Sequence, residues 1–184
     1  MRDTTELPIL RARAGDSEAL EVVYRALHSP VLAYLRSFLT LEDAEDAASD
    51  VFVAVARGLS AFEGSQAAFR SWVFTIAHHR AADLCRRDRR RRTHSVAPGD
   101  SALSQTGGDA EDDALEMVGT ESALGHISGL PAAQAEVVLL RIVADLPFAD
   151  VARILGKREE AVRALHFRAL RRLGREFAAR DVAS

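Results

Sequence analysis

Arginine stands out by type and by spacing. Residues 67–92 hold eight Arg against Asp83 and Asp88, and residues 157–175 hold Lys157 and six Arg against Glu159 and Glu160. A guanidinium offers a planar fork of donors that matches phosphate oxygens, so two such blocks point to polyanion binding. Other reactive types are few. His79 and Asp83 lie four residues apart on one helical face, with His78 and Cys85 close by. These are metal-ligand types, but no second ligand pair accompanies them and their neighbours are Arg, so no metal is expected. Acids are blocked as well. Residues 1–66 hold eleven Asp or Glu against six Arg, and residues 95–121 hold seven acids and no base. The net charge of −3 conceals this alternation.

The elements that carry these charges read as helices throughout. With 48% hydrophobic and only 6% aromatic residues in 184, the composition suits an Ala/Leu/Val-rich helical protein of one domain or two small ones. Leu20, Val23, Tyr24, Leu27, Val31, Tyr34, Leu35 and Phe38 recur at helical spacing behind Asp16 or Ser17 as N-cap. Pro30 predicts a kink or break near His28–Ser29. Thr40 and Asp43 resemble a capping box that opens a helix over 42–58, with Ala44, Ala47, Ala48, Val51 and Val55 on one face. A small-residue loop over 60–66 precedes a long helix over 67–91. There Phe69, Trp72, Val73, Ile76, Ala77 and Leu84 face inward and Arg80, Arg87 and Arg91 outward.

Between residues 93 and 120 the apolar pattern lapses. Pro98-Gly99, Gly107-Gly108 and scattered Ser and Asp cannot bury enough surface to offset ordering entropy, so this stretch reads as an acidic linker with a short helical turn near 114–118. The expected organisation is all-α: a domain over 1–92, the linker over 93–120 and a second domain over 121–184. No apolar run approaches the roughly 20 residues that span a bilayer. The first ten residues carry Asp3, Glu6 and Pro8 where a secretion signal needs a basic start and an apolar stretch. With Cys85 the sole cysteine, a cytoplasmic protein is expected.

Leu146-Pro-Phe-Ala-Asp-Val-Ala-Arg-Ile-Leu-Gly156 followed by Glu159-Glu-Ala-Val-Arg-Ala-Leu165 has helix-turn-helix form. Val151, Ala152 and Leu155 pack the first helix, and Val162, Leu165, Ala169 and Leu173 the second. Gly156 supplies the positive φ that the turn needs. The second helix presents Arg158, Glu160, Arg163 and Phe167 to base edges, and Arg168, Arg171 and Arg172 to phosphates. The bland reading is a charged helical hairpin with a solvated Arg face.

Asp43-Ala-Glu-Asp-Ala-Ala-Ser-Asp-Val-Phe52, then Phe69-Arg-Ser-Trp-Val-Phe-Thr-Ile-Ala-His-His-Arg-Ala-Ala-Asp-Leu84 and its Arg run, resembles region two of extracytoplasmic-function sigma factors. Leu130-Pro-Ala-Ala-Gln-Ala-Glu-Val-Val-Leu-Leu-Arg141 through the helix-turn-helix resembles region four. The resemblance spans about residues 10–178 in the family's order.

The resemblance implies a protein that attaches to core RNA polymerase and directs it to promoters, with no catalytic residue and no cofactor of its own. It implies that Asp43, Asp46, Asp50 and Phe52 dock on the polymerase; Asp46 and Asp50 share a helical face able to receive Arg. It implies that Phe62, Arg70, Thr75, His78, His79, Arg80, Arg87 and Arg91 engage and open the minus-ten region, where unstacked bases need pockets, π faces and a basic groove. Arg158, Glu160, Arg163, Phe167, Arg168, Arg171 and Arg172 fall to the minus-thirty-five element. Trp72 sits at core spacing with Phe69, Val73 and Ile76 and is expected inside.

Three positions depart from the family pattern: His79 replaces a common Asn, Arg158 a common Ser N-cap, and Leu165 a common basic residue. An anti-sigma protein is an implied further partner, and direct membrane insertion is not expected. A conventional helix-turn-helix regulator acting without polymerase accounts for residues 121–180 but leaves the pattern over 43–92 unused.

Overall fold

The computed structural model describes residues 8–95, 125, 127 and 129–181, without the side chains of 91–95 and 179–181. Every regular element among them is helical, and the chain divides into two units, Met1–Ala110 and Glu111–Ser184. Most of the expected linker and its helical turn lie outside the described residues. None of the described helices is long and apolar enough to cross a membrane.

The first unit comprises α1 (Ile9–Arg13), α2 (Ser17–Arg36), α3 (Leu41–Leu59) and α4 (Gln66–Ser95). Asp16 caps α2, its side chain accepting from the backbone N–H of Glu18 and Ala19 at 3.0 and 3.1 Å. Those bonds, reinforced by one from Arg11, hold its carboxyl below the usual range. Thr40 caps α3 by accepting from the Asp43 N–H. The reciprocal bond of a capping box is not the one formed: Thr40 Oγ1 donates to Asp43 Oδ2 at 2.8 Å, because an Asp side chain is too short to reach back to the cap N–H.

Several expectations need correction. The helix α2 runs unbroken through Pro30, so the break that the proline allowed does not occur. Proline removes one backbone bond, but buried Val23 and Leu27 on one side and Val31, Tyr34 and Leu35 on the other hold both halves in a single core face. Leu20 and Tyr24, placed on that face by spacing, are exposed. The inward face of α4 is also rotated from the expected one. Phe69, Ser71, Val73, Phe74, Ala77 and Ala81 are buried, whereas Trp72, Ile76 and Leu84 are half-buried. This helix packs on both α2 and α3, so its buried face is wider than one stripe. It also continues to Ser95, into the segment expected to be linker.

The second unit comprises α5 (Ala132–Val138), which passes into a π-helical turn (Leu139–Val143), then α6 (Phe148–Leu155) and α7 (Glu159–Asp181). Its core is Val137–Leu140 with Leu146, Val151, Val162 and Ala169. Ile154 rather than Leu155 is the buried residue near the end of α6, and Leu165 and Leu173 are only half-buried. Gly156 ends α6 at φ 60°, as the turn requires. Asp145 also takes a left-handed conformation, φ 53°, between the π turn and α6.

Candidate polymerase and nucleic-acid interfaces

On α3, burying Ala44, Ala47, Ala48 and Val51 turns Glu42, Asp43, Glu45, Asp46 and Asp50 outward as one acidic face. The Phe52 ring is half-buried at the edge of this face, packed on Tyr24 (4.7 Å between centroids) and His28 (5.9 Å). Beside it, Leu20, Val23, Tyr24, Phe52, Val55 and Ala56 line an open apolar groove of about 340 Å³ between α2 and α3.

Along α4 the predicted residues separate into anchored and outward ones. Phe62, in the preceding loop, folds back on α4: its ring stacks on Trp72 and meets Phe69 edge-on, each at 5.2 Å. Trp72 closes over Gly58 of α3, where a Cβ would come within 2.8 Å of the indole. Thr75 donates its hydroxyl to the Ser71 carbonyl at 2.7 Å. His78 shares a 3.1 Å hydrogen bond with the Tyr34 hydroxyl, while the neighbouring His79 is exposed. Arg70 is half-buried, and its Nε is buried without a hydrogen-bond partner.

Arg80 forms an ion pair with Asp50 across the α3–α4 seam. Asp83 is bonded by Arg86, which with the charges of Arg87 and Arg80 holds its carboxyl below the usual range. Arg86 and Arg87 are exposed, as are Arg89 and Arg90; the Arg91 side chain lies outside the described residues. Among the described residues, no three His, Cys, Asp or Glu side chains converge.

In the second unit, Phe148 at the start of α6 is the hub. The guanidinium carbons of Arg141 and Arg163 each stand 4.5 Å from its ring centroid, and His166 meets it edge-on at 5.3 Å. Arg141 also donates to the Leu146 carbonyl, and Arg163 donates twice to Glu159 Oε1. Burial, and then the charge of Arg141, push the His166 pKa down. Outward on α7 stand Glu160, Phe167, Arg168 and Arg171, with Phe167 61% exposed and the Arg171 guanidinium 5.8 Å from its ring. Arg158, just before α7, is exposed and its carbonyl accepts from the Val162 N–H. Arg172 pairs with Glu176 at 3.4 Å.

The sigma-70 region 2 family profile matches residues 23–91, and the sigma-70 region 4 profile matches residues 125–173. The ECF RNA polymerase sigma factor ShbA of Streptomyces griseus is 31% identical, over 94% of this chain and 97% of ShbA. The chain belongs to the extracytoplasmic-function sigma factors.

Other relatives agree with that membership. The RNA polymerase sigma factor YlaC of Bacillus subtilis is 30% identical over 76% of this chain and 80% of its own. The ECF sigma factor BldN of Streptomyces coelicolor is 30% identical over 90% of this chain, which spans 62% of BldN's length. Two solved structures share the fold at a TM-score of 0.62. CnrH, in complex with the cytosolic domain of CnrY, is 20% identical over 93% of this chain and 95% of its own. The sigma factor RpoE of Bartonella quintana, in complex with the anti-sigma factor NepR, is 21% identical over 83% and 92%.

Within this sigma factor, the expected polymerase-docking and minus-ten residues all lie in the region 2 match, and the minus-thirty-five residues all lie in the region 4 match. Sequence reasoning missed two features: the Asp50–Arg80 pair and the Phe148 hub. The first joins residues thirty positions apart, for which helical spacing offers no signal. The second places an aromatic among cations from two other elements; its one local cue is Glu159 four residues before Arg163.

Proposed function

We infer that this sigma factor binds core RNA polymerase and brings it to promoters, one unit engaging the minus-ten element and the other the minus-thirty-five element. The observation that carries this reading is the ordered pair of region 2 and region 4 matches in a single chain, each with a long helix that turns cations outward. A regulator acting on duplex DNA alone needs only the second.

Asp43, Asp46 and Asp50, on the acidic face of α3, and Phe52 beside them form the polymerase-docking surface. Exposed carboxylates of this kind contribute little to folding but steer a cationic partner. Arg70, His78, His79, Arg80, Arg87 and Arg91 on α4 supply the minus-ten groove. Thr75 lies on the same helix and Phe62 over its start, and each is held by a neighbour, which keeps a binding surface rigid before bases arrive. On α7, Glu160 and Phe167 meet base edges together with Arg158 and Arg163, while Arg168, Arg171 and Arg172 meet phosphates.

The chain itself carries out no bond chemistry; phosphodiester formation belongs to the polymerase. It acts in the cytoplasm, and an anti-sigma protein that covers the docking surface is its inhibitor.

The deciding experiment mixes purified chain with core polymerase and a genomic library for run-off transcription. Co-elution with core and a defined set of start sites are expected. A chain that binds promoter duplex equally well without polymerase, and selects no start sites with it, overturns the proposal.

A further inference from the structure

The family resemblance gives Asp50 and Arg80 different partners, the polymerase and the promoter, yet in the structure they hold each other. Asp50 is flanked on α3 by buried Val51 and, one turn earlier, by buried Ala47. Arg80 is flanked on α4 by buried Ala77 and Ala81. Both side chains therefore leave from the rim of the α3–α4 seam, and Arg80 Nη2 meets Asp50 Oδ2 across it. The Arg80 side chain is only 34% exposed against 53% for Asp50, and Arg80 Nε is buried without a hydrogen-bond partner. The stem of the guanidinium is thus out of water, and its charge is answered at Nη2. Asp83, one turn further along α4, is bonded by Arg86. The carboxylate that fixes Arg80 is therefore the one on α3. A polymerase Arg that sought Asp50 would have to displace a cation already seated there, whereas no cation among the described residues pairs with Asp43 or Asp46.

We propose that Asp50 is a positioning residue for promoter opening, setting the Arg80 guanidinium in place on α4 rather than contacting the polymerase. The idea rests on the reading of α3 as the docking helix and α4 as the promoter helix. It moves Asp50 from the first surface to the support of the second. Arg80 then serves the opened strand from a fixed rotamer, and the seam transmits its position from the helix that the polymerase holds.

The test uses the full-length protein with core polymerase and a promoter recovered from the run-off library. Asp50→Asn, Arg80→Gln and the double variant are compared for affinity to core, permanganate reactivity of the minus-ten thymines, and melting temperature. Each single variant is expected to keep core affinity within about twofold of wild type and to lose roughly three- to tenfold in opening, a size in keeping with a partly buried ion pair. The double variant is expected to open no worse than Arg80→Gln alone, since the two act as one unit. Asp50→Glu should recover part of the opening, and melting temperatures should stay close together, which separates positioning from unfolding.

The proposal is overturned if Asp50→Asn weakens core binding more than Arg80→Gln does, if the two losses in opening multiply, or if neither single variant affects opening. Failure of the wild-type protein to bind core would instead sink the underlying assignment of the helices.

Discussion

In the N-terminal unit, α4 is seated against two long helices, and its own Phe69 and Phe74 are wholly buried together with Tyr34 of α2. In the C-terminal unit, α7 rests on two short helices, and among its described side chains only Val162 and Ala169 are fully buried. The largest aromatic contact there, Phe148, is half-buried among Arg141, Arg163 and His166. A unit that must hold a strained, opened strand needs a support that does not yield. A unit that lies in an undeformed major groove needs only a correctly angled helix, and a small core with two left-handed turn residues can set that angle. Under the proposed function, opening by the first unit and minus-thirty-five binding by the second therefore draw on different reserves of stability.

The most severe way to test this contrast is to empty part of the smaller core. Leu140 is fully buried where α5 passes into the π turn. Leu140→Ala removes about 2–5 kcal/mol, comparable to what a core of this size supplies altogether. The second unit is expected to lose its amide-exchange protection while the first keeps its own. Transcription from minus-thirty-five-dependent promoters should fail, with core binding retained. Equal loss of protection in both units would show that they fold as one.

The same substitution at two glycines sharpens the comparison. Gly58 carries no unusual backbone angle, but a Cβ there meets Trp72 at 2.8 Å, so Gly58→Ala forces the indole off the α3–α4 seam at a cost of about 1–3 kcal/mol. As Trp72 is the sole tryptophan, its fluorescence should shift in the native state. Gly156 has open space around its missing Cβ but φ 60°, so Gly156→Ala costs about 1–2 kcal/mol through the backbone alone and leaves the fluorescence unchanged. An unshifted emission in Gly58→Ala would mean that the seam is looser than its geometry implies.

Much of this architecture is legible in the sequence because it rests on local rules. The caps at Asp16 and Thr40, the small-residue face of α3 and the turn at Gly156 all follow from residue type and helical period. What eluded that reading depends on tertiary context. Pro30 is tolerated because packing on both sides outweighs one lost bond, and the π turn at Leu139–Val143 has no composition of its own. At the interfaces, residue types mark which faces are charged. They do not say that Asp50 faces Arg80, or that Arg163 lies over Phe148, since those contacts depend on how helices from distant parts of the chain are rotated.

The gentlest probe separates the units by pH. His166 touches the Phe148 hub, where burial first and the nearby Arg141 second lower its pKa from the ordinary value of about 6.5. The folded unit therefore takes up its proton at a lower pH than the unfolded chain does. Between those two values the unfolded state binds more protons, so stability falls as pH falls. The contribution is complete above about 6.5 and is lost as pH drops through the lower, folded value. Melting of the second unit should decline over that interval more steeply than melting of the first, and His166→Gln should flatten the difference without altering stability much at neutral pH. A decline that persists unchanged in His166→Gln would place the sensitivity elsewhere, and the hub would then be a packing contact without electrostatic consequence.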